Sequence, residues 1–166
     1  PLGDRLREIL LNDTKVCIHR RAEMLLYMAA RAQLVEEVIV PALKQGMDVI
    51  SDRFLLSNVA YQAYGMQADE ETIERTWQVG QVATGGLTPD VTIVLDLPAG
   101  ASFQRLQRAH DKLESRGEEY MERVRVGFLT EAARRSEVVV IDATPPPEEV
   151  FEQVALAVQQ RFRLIC

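Results

Sequence analysis

The sequence predicts an α/β fold in which a parallel sheet lies between two layers of helices. Three short apolar runs, at residues 48–51, 91–96 and 138–142, have the length and composition of strands in a parallel sheet. An aspartate ends or directly follows each run, and helical patterns separate the three runs. Strands that alternate with helices favour a parallel sheet with helices on both faces, so we expect a three-layer α/β/α domain.

Apolar periodicity predicts the helices between these strands. They are expected at residues 4–11, 21–45, 69–84, 101–109, 120–135 and 148–162. Pro41 should disturb the last turns of the long helix, since proline removes a backbone donor and crowds the preceding turn. The predicted core stripe of that helix consists of Ala22, Leu25, Leu26, Ala29, Ala32, Val35, Ile39 and Leu43.

Length, charge and cysteine content narrow the function classes. The chain has 166 residues, of which 47% are hydrophobic and 27% charged, which suits one globular domain. A net charge of −6 without a basic stripe argues against nucleic-acid binding. We find no signal peptide and no apolar run long enough to cross a bilayer. Cys17 and Cys166 show neither metal spacing nor a disulfide framework, so we expect a reducing, cytoplasmic environment.

Polar residues at and after the first predicted strand form the main candidate site. Asp52 and Arg53 follow that strand directly, and ligands of open α/β sheets bind outside the carboxyl ends of the strands. Helical spacing then brings Asn58 to the same face as Tyr61 and Gln62, and Ser57 lies next to it. The alternative interpretation is purely structural, with Asp52 and Arg53 in an ion pair.

A second candidate pair lies on the long helix. Tyr27 and Arg31 are four residues apart, so an aromatic ring and a cation can point to one place. A half-buried ring beside a solvated arginine is the more common arrangement for such a pair. The pattern alone therefore leaves both interpretations open.

Five stretches of the sequence resemble the thymidylate kinase family of P-loop nucleoside monophosphate kinases. In chain order they read P-L-G-D-R-L-R-E-I-L-L, A-E-M-L-L-Y-M-A-A-R-A-Q, D-R-F-L-L-S-N-V-A-Y-Q, A-T-G-G-L-T-P-D-V-T-I-V-L-D-L-P and V-V-V-I-D-A. They cover nearly the whole chain at family spacing, and the block that begins at Asp52 is the specific one. The resemblance implies transfer of the γ-phosphoryl group of ATP to thymidine monophosphate (dTMP) in dTTP synthesis, with Mg²⁺ as cofactor. It also implies a cytoplasmic homodimer.

The resemblance also implies a role for each acceptor-site residue. Tyr27 would stack on thymine, and Arg31 would reach the base and phosphate side of dTMP. Arg53 would clamp the acceptor phosphate beside Asp52, which would lie near Mg²⁺. The positions that would line the nucleoside are Ser57, Asn58, Tyr61 and Gln62, with Tyr61 crowding the place of a ribose 2′-hydroxyl.

Residues 110–119 would correspond to the lid over ATP. The stretch is polar and weakly periodic, which suits either a flap or an exposed connection. The implied donor-side residues are Arg105, Arg108, Asp111, Lys112, Glu114 and Arg116 at the lid, with Ala143 and Thr144 beside adenine. Lys112 and Arg116 would be the basic residues that assist phosphoryl transfer.

The sequence departs from the family at one motif. It contains no G-x-x-x-x-G-K-[ST] run, which the family carries upstream of the P-L-G stretch. We therefore interpret residues 1–166 as a single kinase domain without its N-terminal strands, and expect this stretch alone to be inactive. Two alternatives remain open: a kinase for another nucleoside monophosphate or a deoxynucleoside, and a non-catalytic relative that only binds nucleotides.

Overall fold

The structure is a computed structural model that describes residues 2–11, 17–105 and 112–163. Within these ranges, the long helices alternate with short ones and with two strands. The helices are α1 (Leu2–Leu11), α2 (Arg20–Leu34), α3 (Val40–Lys44), α4 (Leu55–Gln62), α5 (Glu70–Thr84), α6 (Ala99–Arg105), α7 (Glu118–Ala133) and α8 (Pro147–Arg163). A π-helical turn (Val35–Ile39) joins α2 to α3, and short 3₁₀ turns lie at Tyr64–Met66 and Glu114–Arg116. None of the helices in the described ranges is both long and apolar enough to span a bilayer.

The two strands form a parallel pair, as the sequence predicts. Strand β1 (Thr92–Asp96) pairs with β2 (Val138–Asp142) in a register that sets Thr92 opposite Val138 and Asp96 opposite Asp142. The crossover between them includes α6 and α7. The carboxyl ends of both strands, each marked by an aspartate, therefore lie side by side, and the Ala143 N–H donates to the Asp96 carbonyl at 2.8 Å.

The predicted strand at residues 48–51 is wrong. This segment has no regular secondary structure, and the Ile50 side chain is 100% exposed. A strand is stable only when a neighbour accepts its backbone hydrogen bonds, and no segment of the described chain pairs with this one. In place of a ladder, the Ser51 hydroxyl donates locally to the Arg53 carbonyl at 2.9 Å.

The long helix is continuous but irregular before Pro41. The Val40 N–H donates to the Val35 carbonyl, five residues back, which defines the π turn. Since Pro41 has no N–H to donate, the helix is disturbed where the sequence predicts it.

The predicted core stripe of the long helix is only partly correct. Val35 and Ile39 are buried, but Leu25 and Leu43 are exposed, as are Ala22 and Ala29. The buried positions on α2 itself are Glu23 and Met28. Periodicity indicates an apolar face but not which neighbours will cover it, and α2 packs here against α1, α4 and α5.

Helix α4 lies at the centre of the helical layer. Six of its eight residues are buried, and it packs against α2, α5 and α7. The approach of α5 is close because Gly80 has no side chain: a Cβ there would lie 2.0 Å from Leu55 Cδ1. The helix that carries half of the predicted acceptor-site residues is therefore held on several sides.

A buried carboxylate joins α7 to the elements that follow α4. Glu131 is 1% exposed and accepts hydrogen bonds from the Tyr64 hydroxyl at 2.7 Å and the Trp77 indole at 3.0 Å. Arg135 donates to the same carboxylate at 3.1 Å and stacks 3.7 Å from the Trp77 ring centroid. Because its charge is paired and hydrogen-bonded, Glu131 can be buried without a large penalty.

Candidate active site

Arg31 connects α2 to the segment that enters α4. One terminal nitrogen donates to the Arg53 carbonyl at 2.8 Å, and the other donates to Asn58 Oδ1 at 3.3 Å. Its guanidinium carbon lies 5.0 Å from the Phe54 ring centroid. Three residues that the sequence assigns to the acceptor site are therefore in direct contact.

Arg31 carries its positive charge in a largely desolvated environment. Burial, and to a smaller extent repulsion from Arg7, lowers the pKa of Arg31 to about 10. The group is still protonated at neutral pH, but among the described residues no carboxylate pairs with it and its buried Nε has no hydrogen-bond partner. A desolvated cation in this state favours an anionic ligand nearby.

Arg53 is exposed and forms no ion pair within the part of the chain that the structure describes. Its backbone has a φ of +71°, and its guanidinium carbon lies 4.9 Å from the Tyr61 ring centroid. Asp96, the carboxylate at the end of β1, is not a partner of Arg53 either, because Arg125 binds it with two bonds of 2.7 and 2.9 Å. Among the described residues Asp52 forms no ion pair either, so its carboxylate and the Arg53 guanidinium are both available.

Tyr61, whose ring lies next to the Arg53 guanidinium, is part of an aromatic cluster. It is 9% exposed and packs edge-to-face on Tyr120 at 6.4 Å and on Phe128 at 6.2 Å. Of the other predicted acceptor residues, Asn58 is buried next to Arg31, while Ser57 and Tyr27 are half-buried on α4 and α2. One wall of the candidate site is thus a rigid aromatic ring with a cation above it.

Glu23 is a site residue that the sequence interpretation missed. Its carboxylate is buried, forms an ion pair with Arg116 and accepts a hydrogen bond from Gln62 Nε2 at 3.4 Å. The available signal was the spacing of Glu23, Tyr27 and Arg31, which are four residues apart in succession and so share one face of α2.

The predicted lid residues differ in the contacts that they make. Arg116 pairs with Glu23 and donates to the Tyr120 hydroxyl at 3.3 Å. Lys112 has a buried Nζ without a hydrogen-bond partner, and Glu114 begins the 3₁₀ turn. The predicted lid positions Arg108 and Asp111 lie outside the described residues.

Arg105 binds the loop that follows β2. Its two terminal nitrogens donate to the carbonyls of Ala143 and Thr144, each at 2.8 Å. Thr144 donates to the Asp142 carboxylate through its N–H at 2.8 Å and its hydroxyl at 2.9 Å, and these bonds lower the pKa of Asp142. The structure therefore brings together three residues that the sequence assigns to the ATP side.

Comparison with known proteins decides the family. A family model described as thymidylate kinase matches residues 1–154. The chain belongs to the thymidylate kinase family. Thymidylate kinases similar to it include that of Rhodopirellula baltica, 47% identical over 155 residues that cover 93% of this chain and 62% of the relative. Those of Kosmotoga olearia and Thermosipho melanesiensis are 41% and 36% identical, over 92% of this chain and 73% and 74% of their own lengths.

The thymidylate kinase match confirms several predictions from the sequence. It confirms the resemblance and the α/β fold class of the P-loop nucleoside monophosphate kinases, and it supports the prediction of an enzyme, because the relatives are named thymidylate kinases. The chain spans about three fifths of the length of the Rhodopirellula baltica relative and about three quarters of the other two. The individual site residues are not tested by these matches and stay predictions.

Asp52 is the candidate ligand for the Mg²⁺ that the family resemblance implies. No group of three or more His, Cys, Asp or Glu side chains in the described ranges could hold a metal by itself. Mg²⁺ in kinases is held by one or two carboxylates together with substrate phosphates. The exposed carboxylate of Asp52, next to Arg53, meets that requirement.

Proposed function

We propose that this protein transfers the γ-phosphoryl group of ATP to dTMP and so produces dTDP for dTTP synthesis. The observation that carries the proposal is the contact of Arg31 with the Arg53 carbonyl and the Asn58 amide. It joins the two sequence blocks that resemble the family's acceptor site and leaves a buried, unpaired cation there. A phosphomonoester is the kind of ligand that an arginine in these surroundings favours.

We assign the acceptor roles as follows. Arg53 clamps the phosphate of dTMP, because its guanidinium is exposed, forms no ion pair with any described residue and lies over the Tyr61 ring. Tyr27 stacks on thymine, Arg31 reaches the base and phosphate side of dTMP, and Asn58 lines the nucleoside. Tyr61 blocks the position of a ribose 2′-hydroxyl, and the remaining lining residues are Ser57 and Gln62.

Phosphoryl transfer between two polyanions depends on positioning and charge neutralisation more than on covalent participation. The side chains of this chain do the positioning: Arg53 fixes the direction of the acceptor oxygen by a bidentate bond to the phosphate. When bound, Mg²⁺ would neutralise charge on the phosphates of ATP, and Asp52 would hold it.

On the ATP side, Arg105 sets the loop that carries Ala143 and Thr144 against adenine. Lys112 is proposed as a lid cation that assists transfer, since its buried amine has no partner in the structure. Further lid positions proposed from the family resemblance are Arg108, Asp111, Glu114 and Arg116. For Arg116, contact with ATP would require release from Glu23.

A homodimeric state and a cytoplasmic location complete the proposal. Both rest on the resemblance to the family, and ATP and dTMP are metabolites of the cell interior. Light scattering coupled to size exclusion tests the dimer, and fractionation of cells tests the location.

The experiment for the proposed function measures ADP release by the full-length protein with ATP, Mg²⁺ and a panel of acceptors. We expect dTMP to be the preferred acceptor over dUMP, dCMP, dAMP and dGMP, with no turnover of thymidine. Asn58→Ala should weaken dTMP binding, while Arg75→Ala, in an exposed ion pair on α5, serves as the control. Equal rates with all acceptors, or none with dTMP, would refute the proposal.

A further inference from the structure

The last turn of α4 is held by a hydroxyl from another helix. Carbonyls in the last turn of a helix have no intrahelical donor and need another partner. The Tyr61 carbonyl, next to the end of α4, accepts a hydrogen bond from the Tyr120 hydroxyl at 3.0 Å. Tyr120 is 2% exposed, and burial raises its pKa to about 12, so the hydroxyl keeps the proton that it donates.

Tyr120 is itself fixed by two further residues. Arg116 donates to its hydroxyl at 3.3 Å, and the Arg116 guanidinium carbon lies 5.1 Å from the Tyr120 ring centroid. The second terminal nitrogen of the Arg116 guanidinium forms an ion pair with the buried carboxylate of Glu23. Glu23 also accepts a hydrogen bond from Gln62, the residue after Tyr61.

These contacts form one connected chain from α2 through the 3₁₀ turn and α7 to the backbone of Tyr61. The same residues pack ring on ring, since Tyr120 lies edge-on to Tyr61 at an angle of 63°. Both the backbone and the ring of Tyr61 are therefore positioned by Tyr120. No other residue of the described chain is recorded as a donor to that carbonyl.

We propose that Glu23, Arg116 and Tyr120 are positioning residues that hold Tyr61 in place for the selection of deoxyribose over ribose. The inference rests on the proposed function, in which Tyr61 excludes the 2′-hydroxyl. Steric exclusion depends steeply on distance, so a small displacement of the α4 terminus admits the larger sugar. The three residues act through Tyr61 and need not touch the substrate themselves.

The test compares two acceptors that differ only at the 2′ position. The full-length protein is assayed with dTMP and with ribothymidine 5′-monophosphate, and the ratio of the two kcat/KM values is the readout. Tyr120→Phe removes the hydroxyl but keeps the ring, and Arg116→Met removes the cation but keeps the length of the side chain. We expect each variant to lower the ratio by roughly three- to tenfold, mainly through better use of the ribonucleotide.

Control variants separate positioning from a general loss of stability. Tyr64→Phe also deletes a hydroxyl bound to a buried group, the Glu131 carboxylate, and Arg75→Met deletes an exposed arginine. Both should leave the selectivity ratio unchanged, whatever they do to the melting temperature. Arg116→Met alone leaves the buried charge of Glu23 unpaired, which could prevent folding. The double variant Glu23→Gln/Arg116→Met removes both charges of the pair and should therefore fold even in that case.

The outcomes are distinct. If the wild type prefers dTMP and the kcat/KM ratio is unchanged in Tyr120→Phe and in the double variant, the inference is overturned. It is also overturned if Tyr64→Phe lowers the ratio as much as Tyr120→Phe does. A wild type that does not phosphorylate dTMP at all contradicts the proposed function instead.

Discussion

Replacement of Arg53 by alanine is the sharpest test of the acceptor site. The structure leaves the Arg53 guanidinium exposed, with the Tyr61 ring 4.9 Å away as its recorded contact. A bidentate bond to a partly desolvated phosphate contributes about 1.5–3 kcal/mol, which corresponds to roughly a ten- to hundredfold loss of dTMP affinity in the variant. Arg53→Lys keeps the charge but loses the fork, so it should also weaken binding.

The effect of the same change on stability should be small. A cation–π contact at an exposed position is worth about 0.5–1 kcal/mol, and no ion pair is lost. The φ of +71° at Arg53 is a strained conformation for a residue with a side chain. Arg53→Gly relieves that strain, so its melting temperature should equal or exceed that of Arg53→Ala, although dTMP binding is lost in both.

Isothermal titration calorimetry with dTMP gives the affinity, and thermal unfolding of the same samples gives the stability. Lost binding with an almost unchanged melting temperature supports the clamp. If melting temperature falls while dTMP affinity is preserved, Arg53 has a structural role and our reasoning fails.

The remaining predictions concern the lid, the loop after β2 and the packing beneath α4. Lys112→Ala should lower kcat with little change in the calorimetric Kd for dTMP, because the lid serves the ATP side. Arg105→Ala should raise the KM for ATP roughly tenfold, since it deletes both bonds to the adenine-side loop. Gly80→Ala should cost about 1–3 kcal/mol in urea unfolding, because the added Cβ has no room against α4. Hydrogen bonds from Thr144 lower the pKa of Asp142, so they stabilise the fold above the ordinary carboxyl pKa, and this contribution is lost as pH falls through the lowered value. Thr144→Val should therefore raise the pKa of Asp142 in a carboxyl NMR titration, and an unchanged value would contradict this explanation.

Local patterns predicted the helices and two of the three strands well. The helix predicted at residues 69–84 is an example: α5 begins after Asp69, which accepts from the Thr72 N–H at 2.9 Å, and it ends at Gly85, which has a φ of +60°. Both features depend only on residues a few positions apart, so the sequence contains the whole cause.

Features that depend on distant partners could not be predicted. Residues 48–51 have the composition of a strand, but a strand exists only when another segment accepts its hydrogen bonds. The pairing of Glu23 with Arg116 joins positions 93 apart in sequence, and neither residue has a local signal for the other. For the same reason, the sequence assigned Arg116 to the ATP lid and could not show its contact with α2.

Residues 48–51 form no strand, but hydrogen bonds to two backbone carbonyls still hold the candidate acceptor residues in place. The Arg53 carbonyl is held by two donors, Arg31 from α2 and Ser51 from its own turn. At the other end of α4, the Tyr61 carbonyl is held by Tyr120 from α7. The side chains of Arg31 and Tyr120 both come from helices and bind backbone oxygens, so they fix the start and the end of α4 without any strand. Helix packing therefore sets the proposed phosphate clamp, Arg53, and the proposed sugar wall, Tyr61, and substitutions that disturb α4 should impair both.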